Sequence, residues 1–124
     1  LINNFLSLSH AAIAAEAIAV AAKAGVSMHA LKDIVVAGGA NSVMFERLIK
    51  LPLEGDDTAA KFAIVNARKD LRYYASMAEN QSSAAFLAEQ VLQLYSLAVN
   101  LGFGERYVPR MVDMMMAISG KDPQ

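Results

Sequence analysis

The stretch from Ala11 to Ala24 constrains this chain more than any other. It is alanine almost throughout, varied only by Ile13, Glu16, Ile18, Val20 and Lys23. Alanine is the strongest helix former because it loses no side-chain freedom in a helix, and its small size lets a second backbone come close. Leu1 to His10 lead into this stretch and Gly25 stops it. The pattern therefore predicts one helix from Leu1 to Ala24, roughly 36 Å long at 1.5 Å per residue. A helix of that length spans a small domain, and 124 residues make one domain. Glu16 and Lys23 interrupt the apolar run, so the expectation is a tightly packed core helix and not a membrane span.

The remaining punctuation is also helical. Ser27 can cap a helix over Met28 to Ala37, ended by Gly38-Gly39. Asn41 can cap a third, Ser42 to Leu51, which Pro52 ends. A polar loop follows, Leu53 to Asp57. A fourth helical region falls within Thr58 to Glu79, its first residues extended. Ser82 or Ser83 can cap a fifth helix running to Asn100, broken at Leu101-Gly102-Phe103-Gly104. Pro109 suits the first turn of a last helix ending at Gly120. No strand alternation and no internal repeat stand out. The expected fold class is all-α, about six helices with a long Ala-rich N-terminal helix, in a single helical domain over residues 1–124.

Composition narrows the chemistry. Apolar residues make up 56% and charged residues 19%, too apolar for a disordered chain. A net charge of −1 leaves no electrostatic footprint for nucleic acid or an anionic membrane. The chain has no cysteine and two histidines, which excludes thiolate chemistry and points to no metal site. No basic, apolar, small-residue leader pattern is visible, and the expected location is cytoplasmic.

Two polar constellations interrupt the packing pattern. On the first helix Asn3, Ser7, His10 and Ala14 fall in one stripe, with Asn4 at its flank. Neutral amides and hydroxyls at this spacing can orient a substrate without acid–base work; a solvated helix end explains the asparagines equally well. The second constellation is Phe62, Asn66, Lys69 and Tyr73 on one helical face, bordered by Asp70, or simply a charged solvated face. Met111, Met114, Met115 and Met116 read as core or subunit-contact filler. Gly102-Phe103-Gly104 follows no strand and is no dinucleotide fingerprint.

The order of these motifs resembles one family. Leu1-Ile2-Asn3-Asn4 leading into an Ala-rich helix that closes Ala22-Lys23-Ala24-Gly25, then Phe62, Lys69-Asp70-Leu71, then Gly102-Phe103-Gly104, is similar to the C-terminal helical domain of the β-hydroxyacid dehydrogenases. That family includes 3-hydroxyisobutyrate dehydrogenase, tartronate semialdehyde reductase and, distantly, 6-phosphogluconate dehydrogenase, and the resemblance covers nearly the whole chain. It implies a piece of a longer protein, with a catalytic lysine immediately before Leu1 and a Rossmann domain holding NAD or NADP ahead of it. It also implies hydride transfer between the nicotinamide and a short hydroxyacid, by the whole protein and not by this piece alone. Asn3 and Asn4 would position the substrate, with Ser7 beside them; Phe62, Lys69 and Asp70 would line the cofactor side of the cleft. A homodimer through this domain is implied as well. Two other readings are a non-catalytic helical dimerisation module and an imine-reductase-like relative with another residue in place of the lysine.

Overall fold

The structure, a computed structural model, describes residues 1–120. These form seven α-helices: α1 Ile2–Lys23, α2 Met28–Ala37, α3 Val43–Leu48, α4 Lys50–Glu54, α5 Ile64–Asn80, α6 Phe86–Ala98 and α7 Met111–Ile118. A π turn, Val99–Phe103, and a 3-10 turn, Val108–Arg110, join α6 to α7. The only pairing of strand type among the described residues is an isolated antiparallel bridge between Ala63 and Tyr107.

Helix α1 is the axle. By length and composition it is apolar enough to cross a membrane, yet here α3, α5, α6 and α7 pack directly onto it. Leu8, Ala11, Ala12, Ala14, Ala15, Ile18 and Ala19 are its buried residues. Most are alanines, so the neighbours approach the backbone itself. The volume that alanine does not fill is supplied from the other side. Met111, Met114 and Met116 of α7 are wholly buried, as are Leu71 of α5 and Tyr95 of α6. The methionine run is thus core, where flexible thioethers fill the irregular gaps between small residues. The Tyr95 hydroxyl donates to the Leu8 carbonyl at 2.9 Å, which gives the ring's one polar atom a partner. Burial pushes the Tyr95 phenol far above its ordinary pKa, so this donor stays protonated throughout the working pH range.

Most predicted boundaries stand, and four readings need correction. Pro52 does not end a helix: α3 stops at Leu48 and Pro52 occupies the first turn of α4, where its missing N–H costs nothing. Neither Ser82 nor Ser83 caps α6, which begins at Phe86 after Ala85; Ser82 instead has φ +53° in the turn that leaves α5. Phe62 lies before the first turn of α5 and so does not share a helical face with Asn66 and Lys69. Ser27 caps α2 as expected, accepting from the Ala30 N–H; Asn41 does not cap α3, whose cap is Ser42, accepting from the Phe45 N–H.

Packing this close leaves no room on the buried side of α1. Ala15→Leu is expected to destabilise the 124-residue chain by about 1–3 kcal/mol through overpacking, while Ala17→Leu on the exposed side changes stability by less than about 0.5 kcal/mol. Urea unfolding of the two variants checks the contrast. Gly102 sits at φ +95° with open space where a Cβ would go. Gly102→Ala therefore carries only a backbone penalty, about 1 kcal/mol in the same assay.

Candidate active-site cleft

The first turns of α1 and the strap before α5 meet across a narrow cleft of about 220 Å³. Asn4, Ser7 and Leu8 line it from α1, Met44 and Arg47 from α3, Ala60, Lys61 and Phe62 from the strap, and Val108 from the 3-10 turn. Asn4 and Ser7 face one cleft because a three-residue step on a helix returns nearly to the same side. Phe62 reaches it differently. The strap is tied to the loop after the π turn by the Val108 N–H on the Phe62 carbonyl at 2.8 Å, the Ile64 N–H on the Arg106 carbonyl at 2.9 Å and the Val65 N–H on the Gly104 carbonyl at 2.9 Å. A side chain at Gly104 would rest against Val65 and Val99, and Gly102, at φ +95°, supplies the turn that brings the loop back to the strap.

An ion-pair clamp fixes the other end of the strap. Arg110 donates through Nε to Asp57 and through Nη1 to Asp113, each at 2.9 Å. The Asp113 bond, with help from Asp57, holds the guanidinium more firmly protonated than usual. Asp113 is almost fully buried, so the pair ties the loop after α4 to the helix that fills the core.

Asn4 is the residue whose orientation is set. Its Nδ2 donates to Asp70 Oδ2 at 2.8 Å across 66 positions of sequence. An ionised carboxylate only accepts, so it is met by the amide NH₂ and not by the amide oxygen. The Asn4 Oδ1 is thereby left as a free acceptor. The stacked rings of Phe5 and Tyr74, 4.3 Å between centroids, lie one residue past Asn4 and four past Asp70 and brace the same junction.

The predicted residues therefore divide. Asn4, Ser7 and Phe62 share the cleft, and Asp70 joins them through Asn4. Asn3 is exposed and not among the lining residues, and Lys69 is exposed on α5 beside Asn66 and Tyr73. His10 belongs to a different, mainly apolar cleft with Ile13, Leu31, Val35, Asn41 and Phe45. Arg47 and Lys61 were not singled out from sequence. Lys61 stands immediately before Phe62, but nothing local links it to Arg47; only the folding of α3 against α1 brings them to one cleft.

Residues 1–115 match the family model described as NAD-binding of NADP-dependent 3-hydroxyisobutyrate dehydrogenase. The chain belongs to that family. L-threonate dehydrogenase of Haemophilus influenzae is 29% identical over 96% of this chain and 39% of its own length. The enzyme of the same name from Escherichia coli K12 is 33% identical over 85% of this chain and 34% of its own. A crystal structure of 3-hydroxyisobutyrate dehydrogenase from Salmonella typhimurium superposes with a TM-score of 0.83 at 31% identity, covering 91% of this chain and 39% of that one. The chain thus spans a little over a third of the length of its hydroxyacid dehydrogenase relatives.

The Asn4–Asp70 hydrogen bond beside the cleft has a measurable strength. A double-mutant cycle of Asn4→Ala and Asp70→Ala is expected to return a coupling of about 1 kcal/mol in chemical denaturation. A value near zero would mean that the two side chains do not meet.

Proposed function

We propose that this chain is the helical part of an NAD(P)-dependent dehydrogenase of short hydroxyacids, in which Asn4 positions the substrate within the Asn4–Ser7–Phe62 cleft. The observation that carries the proposal is the Asn4–Asp70 hydrogen bond. It aligns a neutral donor–acceptor group beside a small cleft and leaves one acceptor for a substrate hydroxyl. Positioning of this kind accelerates a reaction by holding the reacting carbon in line, and Asn does so without competing for the proton. Ser7 adds a second hydroxyl on the same wall. Phe62, half-buried, excludes water from the far side.

The dinucleotide, when bound, accepts or gives the hydride. The residues of α5 suit it. Asn66, Lys69 and Tyr73 are exposed together, and an unpaired ammonium with an amide and a phenol beside it matches the pyrophosphate and ribose hydroxyls of such a molecule. In this reading, as the family resemblance implies, a lysine precedes Leu1 in the whole protein and handles the hydroxyl proton. A cytoplasmic location goes with this reading.

The same domain joins subunits. Ile2, Leu6, Ile13 and Val20 are all exposed on α1 and fall within one narrow stripe at 100° per residue. An apolar helix stripe left uncovered in one copy supports a homodimer through this domain.

Asn4→Ala in the whole protein is expected to lower kcat/KM for its hydroxyacid by about 10²-fold, with the dissociation constant for NAD(P)H changed less than about threefold. Steady-state kinetics and nucleotide fluorescence measure the two. Unchanged kcat/KM would remove Asn4 from the site. Tight dimerisation without hydride transfer to any short hydroxyacid would favour the non-catalytic scaffold.

A further inference from the structure

We infer that Arg47 and Lys61 form the anion-reading end of the Asn4–Ser7–Phe62 cleft and take the carboxylate of the hydroxyacid. The inference rests on the dehydrogenase reading above and adds what that reading leaves open, namely which residues select for an acid.

The cleft lining holds two cations and no carboxylate. Neither cation makes a salt bridge, since every one among the described residues belongs to Arg110, with Asp57 and Asp113; Asp56 feels the charge of Lys61 but does not line the cleft. Three further basic side chains have visible partners. Arg68 donates to the Ser96 hydroxyl, Lys23 donates to the Ser119 carbonyl, and Arg106 lies over the Phe103 ring. Arg47 and Lys61 have none of these partners. They also come from separate elements, α3 and the strap, so their convergence is a product of the tertiary fold and not of helical spacing. Two positive charges on the lining of one small cleft give it a positive potential that favours an anion.

The surroundings strengthen that attraction. Leu8, Met44, Ala60 and Val108 are buried apolar residues of the same lining, and a charge interaction against low-dielectric walls is stronger than one in open water. Arg47 offers a planar fork that matches both carboxylate oxygens, while Lys61 adds a compact point charge. Asn4 contributes a free acceptor to the same cleft. Acceptor and cations together recognise a molecule carrying a hydroxyl and a carboxylate a few bonds apart. The volume of about 220 Å³ lies under the range usual for drug-sized ligands and suits a short acid.

A phosphate of the cofactor is the other anion that such a pair could meet, and the test separates the two. Arg47→Gln, Lys61→Gln and Arg47→Lys are made in the whole protein; both positions are exposed, so folding tolerates them. The expected result is a KM for the hydroxyacid raised about tenfold or more by each Gln variant, with Arg47→Lys intermediate. The preference for the acid over its neutral carboxamide analogue shrinks by the same factor, and the dissociation constant for NAD(P)H does not move. An unchanged KM and acid preference in an active enzyme would overturn the inference and leave the dehydrogenase reading standing. A weakened nucleotide affinity with an unchanged KM for the acid would overturn it in favour of a phosphate contact. Absence of hydride transfer by the wild-type protein would overturn the dehydrogenase reading, and the inference with it.

Discussion

The fold depends on how closely other helices approach the backbone of α1. Seven buried side chains on that helix, five of them alanine, set the distance. Everything else adapts to it: α7 brings methionines to fill the remaining gaps, and α6 brings Tyr95, whose hydroxyl finds its partner on the α1 backbone itself. A bulkier α1 would push α5 and the strap outward, and the first turn of α1 would no longer reach Asp70. The catalytic proposal is thus a consequence of small-residue packing, with the polar residues placed at the one end of the helix where the core opens.

The second constraint is the strap before α5. It has no regular structure of its own, so its position must come from elsewhere. Backbone bonds from Phe62, Ile64 and Val65 to the loop after the π turn secure one end, and the Arg110 clamp secures the other. Gly102 supplies the left-handed turn that brings that loop back. This explains how a break at residues 102–104, far from the cleft in sequence, determines where Phe62 and Lys61 stand. The family membership and the superposition on 3-hydroxyisobutyrate dehydrogenase fit a domain whose parts are coupled in this way.

Much of the fold was legible in the sequence. Alanine content, Gly25 and the capping Ser27 act within a few residues, and local chemistry is what a sequence displays directly. The misread boundaries were also local, but ambiguous: a proline is tolerated in a first turn as well as after a last one, and a serine can cap a helix or sit in a turn. The motif order Asn3-Asn4, Phe62, Lys69-Asp70-Leu71 and Gly102-Phe103-Gly104 pointed to the family. The asparagine pair did not declare which member faces the cleft; that follows from the reach of one amide to Asp70. Arg47 and Lys61 were invisible because their relation exists only after α3 packs on α1.

The central claim is that a hydroxyacid sits against Asn4 in the cleft closed by Phe62. A crystal structure of the whole protein with NAD(P) and a short hydroxyacid bound tests it most directly. The account predicts the substrate hydroxyl within hydrogen-bond distance of the Asn4 side chain while Asp70 still holds the amide. Substrate found in the apolar cleft beside His10 and Asn41, or Asn4 turned to solvent in the complex, would contradict it.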